Sequence, residues 1–195
     1  VYKRQVVLLA VKPQMLEGVM QQLRGSLKPE QLVVSVIAGA STRALSDGLD
    51  HAALVRSMPN TPAQIGQGVT VWFATDAVDQ TGRDRTRAML GSLGREFEVH
   101  DERQVAMATA VSGTGPTYIF LFIEALTDAA VHLGFPRHVA RELVLDTMQG
   151  SAAFALRSGK HVAELRDMVT SPGGTSAEAL YLSLIHISEP TRQAE

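Results

Sequence analysis

The chain has 195 residues, 45% of them hydrophobic, with 18 Lys and Arg against 20 Asp and Glu, for a formal net charge of −2. That length allows one large domain or two small ones with a real core. The near-neutral charge, with cations scattered rather than blocked or interleaved with aromatics, gives no ground for nucleic-acid or membrane binding, and without cysteine there is no disulfide or thiolate chemistry.

A cysteine-free chain suits a reducing cytosol, so a cytoplasmic protein is expected. No pair of histidines has zinc-ligand spacing such as H-E-x-x-H, and no metal is expected. The apolar runs, such as Val6 to Val11 and Ile119 to Ile123, are far short of a membrane span. Lys3 and Arg4 precede an apolar run, but Lys12-Pro13 ends it too early for a signal peptide.

In chain order, Val6 to Val11 (VVLLAV) is continuously apolar, which suits a strand buried on both faces of a parallel sheet. Pro13 stops it and stands near a helix start, and Leu16, Val19, Met20 and Leu23 follow at helical spacing. Leu32 to Ile37 is a second buried strand ending at Gly39, with Ser41 or Thr42 capping a short helix over Arg43 to Leu49. Ala53 to Arg56 starts a third strand closed by Pro59, and Val69 to Phe73, β-branched and aromatic, is a fourth. A helix over Thr81 to Leu93 ends at Gly94, and Phe97 to His100 is a last short strand. Strands alternating with helices predict an α/β domain with a largely parallel sheet over residues 6–100.

The texture changes near Asp101, and from there to Leu182 no strand is expected. Asp101 can cap a helix through Val111, Pro116 opens the next, running to Gly134, and Pro136 starts another that reaches Ser158. A shorter helix covers Val162 to Met168. Residues 101–182 therefore read as a separate all-α domain. The Pro116–Gly134 helix is apolar on nearly all sides, from Tyr118, Ile119, Phe120, Leu121 and Phe122 to Val131 and Leu133. Such a helix is buried all round, which points to a subunit interface, with a central core helix as the alternative. Residues 1–5 fit no element and residues 183–195 break off a helical pattern abruptly; both read as non-native ends, with ordinary disordered termini as the alternative, and are left out of the fold expectations.

Five short motifs carry the functional signal. Ala10-Val11-Lys12-Pro13 and Ser35 to Gly39 stand at the carboxyl ends of expected parallel strands, where open α/β sheets bind ligands. Small residues in the second would let a flat ring approach the backbone. Pro59 and Pro62 bracket Asn60 and Thr61, which a fixed backbone pre-positions to hydrogen-bond; a rigid turn serving its own neighbours is the alternative. Ser112 to Tyr118 (SGTGPTY) reads as a small flexible loop whose free N–H groups, at the start of the long helix, could attract an anion or simply be capped. Ser171-Pro172-Gly173-Gly174-Thr175-Ser176 places three hydroxyls and two glycines before a helix starting near Thr175, a nest suited to a carboxylate. A glycine-rich link with a cap is the plainer account. The histidines at 51, 100, 132, 138 and 161 are expected at surface or loop positions, and no charge-relay triad is present.

Val7 to Gln14 (VLLAVKPQ), Ser35 to Gly39, Met58 to Ala63 (MPNTPA), Val111 to Tyr118 (VSGTGPTY), Phe122 to Ala130 (FIEALTDAA), Met148 to Ala152 (MQGSA) and Leu165 to Ala179 (LRDMVTSPGGTSAEA) together resemble the pyrroline-5-carboxylate reductases in order and spacing. The likeness covers residues 6–182. It implies a Rossmann-type domain, here with a truncated parallel sheet, followed by an all-α dimerisation domain, in a homodimer or a higher oligomer. The implied reaction is hydride transfer from NADPH or NADH to the imine carbon of 1-pyrroline-5-carboxylate, giving L-proline. The resemblance places Ala10, Val11, Lys12, Pro13, Ile37, Ala38, Asn60 and Thr61 beside the nicotinamide nucleotide. It places Ser171, Gly173, Gly174, Thr175 and Ser176 around the substrate, with the Ser176 hydroxyl as the catalytic group near the imine nitrogen.

Two departures stand out. The family usually has Thr at the position of Ser176, and serine keeps the hydroxyl but loses the methyl that restricts its rotamer. The family's opening strand, G-x-G-x-M-G pyrophosphate turn and helix would lie before Val6, and its last helices after Leu182. A hydroxy-acid reductase of the same architecture would carry a catalytic Lys on the long helix, and none stands between Pro116 and Gly134. A non-catalytic dimerisation protein that kept the fold is the reading from another class. No G-x-G-x-x-G occurs in the sequence. Residues 1–195 alone are therefore expected to show no NAD(P)H-dependent turnover, which loss of nicotinamide absorbance measures directly; measurable turnover would count against that reading.

Overall fold

A computed structural model describes residues 5–188, with side chains through residue 182. Five strands, β1 (Val6–Leu9), β2 (Leu32–Ser35), β3 (Leu54–Met58), β4 (Gly68–Ala74) and β5 (Gly94–Glu98), form one sheet in chain order. β1 runs parallel to β2, β2 to β3, and β4 to β5; only β3 and β4 are antiparallel. The exception reflects chain length, since residues 59–67 are too few for the crossover of a dozen or so residues that parallel strands need. Helices α1 (Leu16–Leu23), α2 (Thr42–Leu49) and α3 (Gln80–Gly91) make the parallel connections.

Burial on two faces explains the apolar runs of β2 and β3, whereas β1, at the edge of the described sheet, leaves Leu8 51% exposed and is not buried on both faces as expected. Leu9, Val33, Ile37 and Leu54 pack with Leu45 and Leu49 of α2, and Leu16, Val19, Met20 and Leu23 of α1 close over them. Leu32, Val34, Val55 and Trp72 pack instead with Val78 and with Leu90 of α3. Adjacent Val33 and Val34 thus serve opposite layers, as the period of two requires. Ser41 caps α2 by accepting from the Ala44 amide at 3.1 Å, and Asp79 caps α3 by accepting from the Gly82 amide at 2.7 Å.

Among the described residues the elements after β5 are all helical: α4 (Glu102–Ala108), α5 (Gly115–His132), α6 (Arg137–Ser158), α7 (Val162–Met168) and α8 (Thr175–Ser188). Asp101 caps α4, accepting from the Arg103 amide at 2.9 Å. The chain divides into two compact units, one through Phe122 and one from Ile123, and the division falls within α5. In the second unit Ala140 and Val144 of α6 and Thr127 of α5 are buried. Gly134 (φ 107) ends α5 and Gly159 (φ 66) closes α6. A left-handed or otherwise positive φ is what makes glycine suitable there.

Several expectations need correcting. Ser112 to Tyr118 is no loop: Thr109–Gly113 is a π-helical turn joining α4 to α5, with the Thr114 amide donating to the Thr109 carbonyl at 2.8 Å. Pro116 has no N–H and its ring crowds the carbonyl one turn back, and a widened turn accommodates that without breaking the helix. The hydroxyls of Ser112 and Thr114 donate to the Ala108 and Ala110 carbonyls, so they are committed to the helix itself. His51 is buried, not superficial, with Nε2 at 2.7 Å from the Gln31 carbonyl, whereas His161 is exposed as expected and caps α7 by accepting from the Ala163 amide. Gln5, set aside as part of an unstructured end, extends the ladder by accepting from the Leu32 amide. At the other end α8 runs on to Ser188, while residues 1–4 and 189–195 lie outside the described residues.

The last strand also starts earlier than expected. α3 ends at Gly91, and Gly94 opens β5 with φ 134, paired with Gly68. A Cβ on Gly94 would lie 2.2 Å from the Gly68 carbonyl oxygen, so two backbones meet where no side chain fits. Gly94→Ala is therefore expected to cost about 3 kcal/mol or more from strain and overpacking. Gly91→Ala, with nothing within 4 Å of the new Cβ, should stabilise by about 0.5–1 kcal/mol through helix propensity. Urea unfolding of the two variants against the parent chain measures both.

Candidate functional site

Three parallel neighbours place their carboxyl ends side by side, about 4.8 Å apart. Three of the motifs found in the sequence begin at those ends. After β1, Ala10, Lys12 and Pro13 are exposed and Val11 half-buried, and the Lys12 carbonyl accepts from the Met15 amide as a short 3-10 helix begins. Lys12 carries no hydrogen bond to its side chain among the described contacts, so its ammonium is available to an anion.

After β2 the chain turns through Val36 to Ala40. The Ser35 hydroxyl accepts from the Ile37 amide at 3.2 Å, and the Ser35 carbonyl accepts from the Ser57 hydroxyl at 2.9 Å. Ile37 is 3% exposed and its side chain belongs to the core. Only its main chain can therefore face a ligand. Ala38 and Gly39 are exposed, and Gly39, at φ 80, has open space where a Cβ would stand. After β3, Asn60 precedes a 3-10 helix over Thr61–Ile65. Asn60 Oδ1 accepts from the Val69 amide at 2.8 Å, which commits that atom to starting β4 and leaves the side-chain NH2. Thr61 is exposed.

A carboxylate that no motif flagged ties together elements that flank two of these turns. Glu102, in the first turn of α4, accepts from the Thr42 amide (2.7 Å), the Thr42 hydroxyl (2.7 Å) and Arg56 Nη1 (2.9 Å). Thr42 opens the helix that comes after the β2 turn, and Arg56 stands in β3 opposite Ser35, just before Met58. Burial pushes the Glu102 carboxyl up, but the bonds from Thr42 and Arg56 outweigh it and hold the group below the usual carboxylate range. Nothing in the sequence singles out Glu102, because its partners lie too far off along the chain for any spacing rule to connect them.

In the second unit, Ser171–Gly174 forms a turn, with the Gly174 amide donating to the Ser171 carbonyl at 3.0 Å. Pro172 and Gly173 (φ 69) suit its two central positions. A Cβ on Gly174 would lie 2.6 Å from the Ser171 hydroxyl, so any larger residue there displaces that side chain. The Gly174 carbonyl accepts from the Ala177 and Glu178 amides, which opens α8 at Thr175 as expected. The amides of Thr175 and Ser176 then head a helix with no acceptor among the described contacts, a place that favours an anion. Thr175 is exposed and Ser176 half-buried.

A hollow lined by Pro29, Gln31, Ala53, Ala77 and Arg85 opens at the amino edge of the sheet and shares no residue with these turns. Among the described residues no group of three or more His, Asp or Glu is placed to hold a metal ion.

Comparison with known proteins gives a consistent result. Residues 102–183 match the family described as pyrroline-5-carboxylate reductase dimerisation. A pyrroline-5-carboxylate reductase of Pseudomonas aeruginosa is 43% identical over 176 residues, 90% of this chain and 64% of its own length. One from Synechocystis is 41% identical over 172 residues, 88% of this chain and 64% of its own length. The chain thus spans slightly less than two thirds of these curated relatives. Among solved structures, Plasmodium falciparum pyrroline carboxylate reductase with NADP bound superposes with a TM-score of 0.87 at 33% identity, covering 94% of this chain and 70% of that one.

The Glu102 network carries a pH dependence. Its folded-state pKa lies below the ordinary 4.5, so its contribution to stability is fully present above that value and is lost as pH falls through the folded one. Glu102→Gln mimics the protonated acid. The stability gap between the parent chain and this variant, measured by urea unfolding from neutral pH downward, should be constant above about pH 4.5 and close below it. Asp101, whose carboxyl the Arg103 hydrogen bond also lowers, contributes equally to both proteins and cancels in the difference.

Proposed function

The chain belongs to the pyrroline-5-carboxylate reductase family, and we propose that it serves the reduction of 1-pyrroline-5-carboxylate to L-proline by NADPH or NADH, in a cytoplasmic homodimer. The carrying observation is the Ser171–Ser176 loop: two free amides and two hydroxyls at the start of α8, on a turn whose glycines are fixed by geometry. That arrangement suits a small anionic substrate with a second polar atom.

Residues 6–100 are taken as part of the nucleotide-binding domain and residues 101–182 as the dimerisation and substrate domain; the family match starting at residue 102 supports the division. Ala10 to Pro13, the main chain at Ile37 and Ala38, and Asn60 with Thr61 border the nucleotide in this reading. Their fit rests on three adjacent strand ends, exposed main chain and the open space at Gly39. When bound, the reduced nicotinamide supplies the hydride. The chain's own part is alignment and charge. Ser171, Gly173, Gly174 and Thr175 hold the carboxylate against the free amides. The Ser176 hydroxyl hydrogen-bonds the imine nitrogen as it changes from iminium to amine, and water supplies the final proton.

The dimer rests on α5. Tyr118, Ile119, Phe120, Leu121 and Phe122 are each about half exposed or more. The helix spanning Glu102–His132 is long and apolar enough by length and composition to cross a membrane, a test that the interface helix of a dimer passes equally well. Its place in a dimerisation family favours a second subunit.

Ser176→Ala, made in the full-length protein, is expected to lower kcat at least tenfold, about 1.4 kcal/mol in the barrier. The KM for the nucleotide should stay within about twofold, since the lost interaction belongs to the reacting imine. Steady-state kinetics with saturating nucleotide checks this, and unchanged kcat would remove Ser176 from the mechanism.

A further inference from the structure

Resting on the reading above, we infer that Glu102 is a positioning residue for the nicotinamide nucleotide, acting at a distance through the elements flanking two turns that its carboxylate ties together.

The main chain at Ile37 and Ala38 lies between two anchors. On one side the Ser35 hydroxyl holds the Ile37 amide. On the other, the chain enters α2 at Thr42, whose amide and hydroxyl both donate to Glu102. Thr42 is 7% exposed, so this anchor is shielded from water. The same carboxylate receives Arg56, which lies in register with Ser35 and shortly before the turn that carries Asn60 and Thr61. Beside the β2–β3 ladder, one group thereby adds a second tie between the elements that flank the two turns. Glu102 is carried on α4, not on either turn, so this tie is imposed from outside.

The chemistry of the group fits the task. Two oxygens accept three bonds from donors of three kinds, an amide, a hydroxyl and a guanidinium. The Thr42 amide is an unpaired donor at a helix start, where a carboxylate is favoured. A site made of main chain cannot adjust by changing rotamer, so a shift of the turns is passed directly to the ligand. Misplacement by about 1 Å far from the chemistry can cost up to about a hundredfold in rate.

The test is a split between kinetic parameters in the full-length protein. Glu102→Ala should raise the KM for NADPH about tenfold while the KM for the imine stays within about twofold. Glu102→Gln keeps an oxygen for the two nitrogen donors, and its amide can donate to the Thr42 hydroxyl; it should restore the KM for NADPH to within about threefold of the parent. If Glu102→Ala does not fold, Thr42→Val, which removes one of the three bonds, should raise the same KM about threefold and leave that for the imine unchanged. Unchanged KM for NADPH in the folded variants, or equal effects on both substrates, would overturn the positioning role. A parent protein that neither binds nor oxidises NADPH would overturn the functional reading instead.

Discussion

Three parallel strands laid side by side in chain order decide where a site can form and what it can be made of. Each crossover helix returns the chain to the same edge, so the turns after β1, β2 and β3 share the carboxyl side whatever their sequences. β2 is buried along its whole length, between the α1–α2 layer and the α3 layer. Its side chains are therefore committed to packing, and Ile37 just beyond it still points into the core. A site at this edge has to be built from main chain and small residues. That makes it sensitive to where the backbone lies and insensitive to many side-chain changes.

Placement of backbone is the kind of task for which a shielded carboxylate is suited. A buried ion pair is a poor source of net stability, because desolvation offsets most of the attraction. Arg56 and Glu102, with side chains 12% and 24% exposed, bear much of that penalty. The cluster of Arg83 and Arg87 with Glu96 and Glu98 on α3 and β5 is a contrast. There Glu96 also accepts from the Trp72 indole, which satisfies the one polar atom of a wholly buried side chain. That cluster fastens β5 and α3 at the far side of the sheet, with Arg87 nearly half exposed and its pairs correspondingly screened. The Glu102 network lies instead beside the turns at the carboxyl edge of β2 and β3.

Much of the architecture was legible because it is local. Continuous apolar runs marked β1 and β2, β-branched and aromatic residues marked β4, and Ser41 and Asp101 announced helix starts by chemistry that acts within one turn. The span of α7 and the start of α8 at Thr175 obey the same punctuation. What escaped was non-local or depended on exclusion. Gly94 looks like a helix stop, and only its pairing with Gly68 shows it to be a close approach of two strands. Gly113, Gly115 and Pro116 look like a loop, whereas a π-helical turn lets the helix continue through them. Thr42 and Glu102 are 60 residues apart, and nothing in either neighbourhood names the other. At the candidate site, the strand-end turns were visible as motifs. The division of labour within them was not: Asn60 Oδ1 serves β4, and Ile37 offers only backbone.

A single chain leaves its longest apolar helix face unburied. Fully burying a large apolar side chain is worth about 1.5–3 kcal/mol, and five in succession, Tyr118 to Phe122, remain substantially exposed on α5. Because consecutive residues on a helix point in different directions, one flat neighbour cannot cover them all. The cover has to come from more than one side, as it does when two copies of a helical domain wrap around each other. Lipid could also surround a helix, but α5 carries Glu124 and Asp128, each costing about 2.5–3.5 kcal/mol if placed near the centre of a bilayer. Asp128 is already paired with Arg137 at the start of α6. The helix that feeds α5 also begins at Glu102, bound to Thr42 and Arg56 at the carboxyl edge of the sheet. A protein surface accommodates both the charges and that attachment, which agrees with the dimer proposed above.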